Sequence, residues 1–364
     1  MTASIQPSRA WVEVDLPALL ANARTVQSSA GVPLLPMVKA NGYGLGAVAV
    51  ARALESVAPW GYGVATEAEA GELRAGGITR PIVVFTPWVP GGVGGGPRVE
   101  GTRAVIGDVE SLKAWLGDRG PSAREPRPFH LEIDTGMSRS GIRWDDRDAL
   151  QAAAALLDGA EGWEGVFTHF HSADADLGAT ETQWDRFQDA LCWFPRRPPL
   201  VHAANSAGAL RGRMFGADLA RPGIYLYGGE VGAWAPPPRP VAALKCRVVA
   251  LRRVAPGDTV SYLGTWRADA PTVIATLACG YADGLLRSGS SALRAEIGGQ
   301  VVPVVGRVTM DMTMVAVPEG LTRPGDVATI FGGQVSLADH AEQMGTNVYE
   351  ALTSIGARVP RIYR

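Results

Sequence analysis

Between residues 34 and 227 the sequence repeats one alternation: a short apolar run, then a stretch with helical spacing. The runs fall at 34–39, 61–65, 82–86, 104–107, 129–134, 165–169, 200–204 and 224–227. Helical spacing fills most gaps, at 47–56, 67–75, 108–116, 145–157, 180–193 and 206–211. The gap after Thr86 is glycine-rich instead, and its cluster at 91–96 reads as a loop. Eight strands alternating with helices predict an α/β fold, a parallel (β/α)8 barrel of TIM type, normally about 250 residues long. An open doubly wound sheet is the alternative, because strand count does not prove closure. Ahead of the rhythm, 11–14 alternates like a short strand. Asp15 can then cap a helix over 16–26, with Pro17 in its first turn.

The rhythm stops after Ala233. The stretch 235–240 holds four prolines and reads as a stiff linker. Beyond it come runs rich in Val, Thr and Ile at 244–254, 272–277, 301–305, 312–317 and 327–331. Pro256-Gly257-Asp258, Pro324-Gly325-Asp326 and Gly332-Gly333 punctuate them as turns. One helical segment is expected at 337–343. The chain therefore divides into a barrel, 1–238, and a mainly β C-terminal domain, 239–364. No sequence repeat is visible.

Composition excludes several partners. Charged residues make up 19% and the net charge is −2, with no basic patch, which argues against nucleic acid and acidic membranes. The apolar runs are far short of a membrane span, and residues 1–10 do not resemble a signal peptide. Cys192, Cys246 and Cys279 are few and scattered, which suits reduced thiols in a cytoplasm.

Reactive groups of a barrel gather at the strand C-terminal ends. Lys39 ends the first run and is followed by Gly42, Gly44 and Gly46. A partly desolvated lysine favours its neutral amine, which can attack an aldehyde. The glycines let backbone approach a ligand, and the helix start beyond them suits a phosphate. Asp134 to Arg139 follows the fifth run, and Thr168-His169-Phe170-His171 closes the sixth. His202 to Ser206 leaves the seventh, and Arg221-Pro222-Gly223-Ile224 leads into the eighth. Singly, each has an ordinary role: a strand-end lysine before a turn, core histidines, surface arginines. The His-X-His pair lacks the Cys or Glu that would complete a metal set, so no metal site is expected. Five such groups at five strand ends argue for a site.

The combination resembles the bacterial alanine racemases. The matching motifs begin with Val38-Lys39-Ala40-Asn41-Gly42-Tyr43-Gly44, Asp134-Thr135-Gly136-Met137-Ser138-Arg139, Thr168-His169, Asn205-Ser206 and Arg221-Pro222-Gly223-Ile224. They continue with Val260-Ser261-Tyr262, Gly280-Tyr281-Ala282-Asp283-Gly284, Gly306-Arg307-Val308-Thr309-Met310-Asp311 and Arg358-Val359-Pro360-Arg361. Together they span both domains. The resemblance implies pyridoxal 5′-phosphate, racemisation of alanine, and a homodimer with shared active sites. Lys39 would anchor the cofactor as a Schiff base and, once released, serve as one base. Tyr262, from the other subunit, would be the second. Tyrosine ordinarily titrates near ~10, so it needs a positive or hydrogen-bonding neighbour; His169, linked to Arg221, is the one implied. Arg221 would face the pyridine nitrogen and, able only to donate, keep it unprotonated. Tyr43, Ser206 and the amides of Gly223 and Ile224 would hold the phosphate, with Tyr363 contributing. Arg139 would contact the cofactor or the substrate carboxylate. Tyr281, Met310 and Asp311 would reach the partner's site. D-alanine for cell-wall precursors is one role such an enzyme serves.

Two positions depart from the pattern. Some relatives carry a carbamylated lysine where this chain has Glu132, whose carboxylate could orient Arg139. Some carry a tyrosine where this chain has Ala357, and a smaller residue there widens the expected specificity toward serine or larger amino acids. A barrel-type pyridoxal-phosphate decarboxylase is the other enzyme class considered, but its cysteine-containing substrate motif is not seen. A non-catalytic carrier of the cofactor lacks a β domain.

Overall fold

The computed structural model describes residues 8–92, 99–117 and 127–364. Part of the glycine cluster at 91–96 and most of the N-terminal ten residues lie outside the described residues.

Parallel strands Tyr62–Val64, Ile82–Pro87, Thr102–Ile106, Phe129–Asp134, Trp163–Phe167 and Leu200–His202 pair in sequence order. Two further extended segments close the barrel. The run at 34–38 bonds to one neighbour through Val38 N–H to the Gly63 carbonyl at 2.8 Å, and to the other through Leu35 N–H to the Ala220 carbonyl at 2.7 Å. That other neighbour, 218–222, returns to the seventh strand through Arg221 N–H to the Ala204 carbonyl at 2.8 Å. Closure rules out the open sheet.

The eighth run is a correction. Residues 224–227 are apolar and buried, as a strand would be, but they form the 3-10 turn Ile224–Tyr227. The last barrel segment lies six residues earlier, at 218–222, where Pro222, Arg221 and Asp218 hide the apolar signature. Buried apolar runs this short do not distinguish strand from helix by periodicity. The helices follow expectation more closely. Glu67–Ala75 carries a full capping box from Thr66 and Glu69, and Arg147–Leu157 is capped by Asp146. The first helix runs on to Ala30, stopped by Gly31 in the left-handed conformation.

The C-terminal half is built on the long strand Ala242–Val254, whose first seven residues alternate buried and half-buried. It pairs antiparallel with Thr272–Leu277 and with Val327–Phe331. It also pairs with Ala10–Val14, so the N-terminal strand lies in this second sheet rather than in the barrel. The linker is pinned where it leaves the barrel: the buried Asn22 side chain bonds both the amide and the carbonyl of Arg239, at 2.8 and 2.9 Å. Helix Leu337–Gln343 forms as expected, and a second helix, Val348–Thr353, was not anticipated.

Candidate active site

Lys39 stands where the first extended segment ends, and the backbone after it is unusual. Ala40, Asn41, Gly42 and Tyr43 all have φ between 52° and 61°, so the glycine turn is one turn of left-handed helix. Such a conformation costs about 1–2 kcal/mol per residue that carries a Cβ. Local bonds offset that strain. Gly44 N–H reaches the Ala40 carbonyl and Gly46 N–H the Asn41 carbonyl, both at 2.8 Å. The Asn41 side chain accepts from Ala47 N–H, and Glu69 accepts from Ala40 N–H. Strain held at a ligand-facing turn is a mark of function.

The turn opens onto a cleft of about 800 Å³ at the strand C-terminal ends, lined by Lys39, Tyr43, Arg139, His169, Ser206, Arg221, Gly223 and Ile224, among others. The structure thus brings together the barrel residues expected to bind the cofactor, while His202 lies beneath Arg221 and Tyr363, from the β domain, does not line the cleft. That hydroxyl instead donates to the Leu45 carbonyl at 3.1 Å, behind the turn. Tyr262, Tyr281, Met310 and Asp311 do not line this cleft. Tyr262 is 69% exposed and Met310 53%, on the outer face of the β domain.

Burial lowers the Lys39 pKa, and the Arg139 charge adds to that, while Glu69 opposes it. The neutral amine is therefore more accessible than in a free lysine. Tyr43 is buried, its ring stacked on Tyr227 at 4.5 Å, and burial pushes its phenol well above the usual range. It stays a neutral hydrogen-bond donor. Ser206 opens a short helix capped by Asn205, and its hydroxyl oxygen accepts from Gly223 N–H at 2.8 Å. Tyr43, Ser206 and the Gly223 backbone thus form one cup.

Arg221 is buried and tightly held. Nη2 donates to the Thr168 and Ala203 carbonyls at 2.7 and 3.0 Å, and Nη1 to His202 Nδ1 at 2.8 Å. Among the described residues no acceptor faces its Nε–H. Burial lowers its pKa to about 9, which leaves it a cation at neutral pH. Arg221 Nη2 also reaches His169 Nδ1 at 3.4 Å. Burial, then the charges of Arg221, Arg139 and Lys39, drive His169 down to about 3. His169 is neutral. Since an arginine only donates, Nδ1 accepts and the ring proton sits on Nε2. Glu132 accepts from the Ser140 hydroxyl at 2.6 Å and meets Arg139 only through charge, while burial raises its pKa.

Sequence reasoning missed Tyr349 and Thr353 on the cleft wall, because it missed their helix. The signal was present: Asn347 with Glu350 three residues on is a capping pattern, and the Asn347 side chain does accept from Glu350 N–H. Asp174 and Glu230 also line the cleft, from loops with no motif.

Comparison with known proteins bears directly on this arrangement. Residues 14–231 match the model for the alanine racemase N-terminal domain, and 241–363 that for the C-terminal domain. The chain belongs to the alanine racemase family. It is 39% identical to the alanine racemase of Acidiphilium cryptum, over 96% of this chain and 98% of that one. The structure of alanine racemase from D-cycloserine-producing Streptomyces lavendulae superposes with a TM-score of 0.90 at 31% identity, covering 99% of this chain and 98% of the other. That from Bartonella henselae, described with covalently bound pyridoxal phosphate, superposes at 0.88 and 28% identity, over 98% and 100%.

Proposed function

We propose that this protein interconverts L- and D-alanine with pyridoxal 5′-phosphate, as a homodimer in the cytoplasm. The observation that carries the reading is the convergence of Lys39, a neutral phosphate cup and the donor-only Arg221 in one cleft. Bound there, the cofactor supplies an electron sink that makes the Cα proton of alanine acidic. Lys39 would anchor it and act as one base, with Tyr262 of the second subunit as the other. Tyr43, Ser206 and the Gly223 and Ile224 amides would hold the phosphate. Arg221 would offer the ring nitrogen a donor and no proton acceptor. His169 supports the tyrosine by donating from Nε2, since burial denies it a charge. Arg139 faces the substrate carboxylate, with Glu132 and Ser140 beside it. The partner's Tyr281, Met310 and Asp311 complete the wall, and Tyr363 braces the turn behind Tyr43. A racemisation assay on purified protein across a panel of L-amino acids tests the reading.

The cup makes a specific demand. A Cβ on Gly223 would collide with the Tyr43 hydroxyl, which cannot swing away because its ring is stacked on Tyr227. Gly223→Ala is expected to fold but to bind the cofactor poorly. Overpacking of about 1–3 kcal/mol corresponds to roughly fivefold to 150-fold in affinity. Titrating the apoprotein with pyridoxal phosphate by absorbance checks this, and unchanged affinity would remove Tyr43 from the cup.

Side-chain preference follows from Ala357, which is exposed. Serine and somewhat larger amino acids are expected to be turned over beside alanine. The measure is kcat/KM for alanine against serine and lysine. A preference for alanine beyond ~10³-fold exceeds what one altered pocket contact provides and would restore strict alanine specificity.

A further inference from the structure

Barrel interiors are normally filled with branched apolar side chains. Below the cleft this one carries instead a line of polar groups that starts at Arg221. Arg221 Nη1 donates to His202 Nδ1 at 2.8 Å. His202 Nε2 lies 2.8 Å from His130 Nδ1, and His130 Nε2 lies 3.2 Å from the Glu164 carboxylate. Both histidines are fully buried.

The direction of every hydrogen bond in this line is forced. Arginine can only donate, so His202 Nδ1 accepts. Burial, and then the Arg221 charge, hold His202 neutral, so its one proton sits on Nε2 and is donated to His130 Nδ1. Burial likewise keeps His130 neutral against the pull of Glu164, so its proton sits on Nε2 and points at Glu164. Burial raises the Glu164 pKa, but bonds from His130 and Arg103 outweigh that and bring it to about 2. The carboxylate is ionised and accepts.

Two backbone features serve this line, and the first also brings Glu164 to Arg103, whose Nε donates to it at 2.9 Å. Phe129 pairs with Trp163 but His130 pairs with Gly165, so Glu164 is the extra residue of a β-bulge. Bulges re-aim side chains, and this one lets Glu164 reach the same neighbours as the residues that face inward. The next residue is glycine, where a Cβ would lie 2.6 Å from His130 Nδ1. The strand is thus bent to deliver the carboxylate and emptied to admit the ring.

We propose that Glu164, on the far side of two histidines from the cleft, is a positioning residue for the reaction. Through His130 and His202 it fixes the orientation and the donor strength of Arg221. An anion at the end of the line strengthens each acceptor in turn, since hydrogen bonds in series polarise one another. Arg221 is then held in one pose and presents a tempered donor to the cofactor ring. The inference rests on the pyridoxal-phosphate reading, and its test separates the two.

Protein labelled with 15N in histidine is examined by long-range proton–nitrogen NMR, with and without pyridoxal phosphate. Both rings are expected to be neutral, protonated on Nε2 and bare on Nδ1, in either state. Glu164→Gln keeps an acceptor for His130 but removes the anion, so the pattern should be preserved while kcat falls about threefold, short of the loss in Glu164→Leu. Glu164→Leu removes the acceptor. The tautomers, set from the Arg221 end, should persist, but the His130 Nε2–H proton should shift upfield as its hydrogen bond is lost, and kcat should fall about tenfold with KM for alanine little changed, the split expected of a residue acting only on the reacting state. Thermal denaturation shows that both variants are folded. Nδ1-protonated rings in the wild type, or a folded Glu164→Leu enzyme with wild-type kcat, overturns the proposal. A wild-type protein that takes up no pyridoxal phosphate overturns the reading beneath it, and the ring nitrogens, read without cofactor, tell the two failures apart.

Discussion

Lys39→Ala is expected to be colourless and inactive, with its fold intact. Two losses coincide in one side chain. On the proposed roles, the amine that captures the cofactor's aldehyde is gone, and so is one of the two bases. Positioned acid–base catalysis alone is worth about 10²–10⁴-fold, so with the anchor also missing racemisation should fall by more than about 10⁴. The fold should tolerate the change. Lys39 opens the left-handed turn without itself adopting positive φ, and the bonds that hold the turn come from Asn41, Glu69 and the backbone. Absorbance of the purified variant, racemisation rates in both directions and a melting curve decide the matter. Yellow protein after dialysis would mean that another group holds the cofactor. Activity above about one per cent of wild type would leave Lys39 a spectator.

The same residue shows how far the sequence could be read. The glycines after Lys39 announced that backbone would turn sharply. They did not announce a left-handed turn that also includes Ala40, Asn41 and Tyr43, because three of its four residues carry a Cβ and local propensity opposes the conformation. Local bonds and a tertiary one, from Ala40 N–H to Glu69 across 29 residues, together make it tenable. The barrel was legible because each strand and helix announces itself by its own apolar period. Its last segment was not, because polar groups and a proline interrupt its apolar run: Asp218 holds Arg197 and the Val201 N–H, and Arg221 faces the cleft. The cleft residues were legible as chemistry at strand ends. Their protonation states were not, since His169 is neutral through burial and neighbouring charge, which no spacing encodes. The Glu164 line lay wholly below the sequence's horizon: a bulge and the one glycine beside it create it.

Tyr262→Phe should separate what Lys39→Ala loses together. The variant is expected to stay yellow, because the anchor remains, and to lose about 10²–10⁴ of its rate in both directions, because each direction needs both bases. The fold of each subunit should not change, as within its own chain the side chain is 69% exposed. The setting of Tyr262 supports its proposed place in a neighbour's site. Ser261 and Leu263, on either side, have φ of 67° and 62°. Ser261 is tied by its hydroxyl to the Arg307 carbonyl at 2.7 Å, and Leu263 is 82% exposed. A strained loop, fixed from beneath and tipped with exposed apolar side chains, is built to dock. The adjoining loops are bound to each other, with Tyr281 N–H on the Thr309 carbonyl at 2.9 Å and Ala282 N–H on that of Met310 at 3.0 Å. Buried Asp283, gripped by Arg9 and Arg358, anchors them, so they present Tyr281 and Met310 as one surface. The proposed sharing of sites makes a sharp demand on mixtures. A Lys39→Ala chain still carries Tyr262, and a Tyr262→Phe chain still carries Lys39, so a mixed dimer assembles one complete site from two inactive subunits. Co-expression produces roughly half mixed dimers, each with one of its two sites intact, so about a quarter of wild-type activity should return. If both bases came from one chain, no mixture of the two variants would regain any activity, and Tyr262 would have to act within its own subunit.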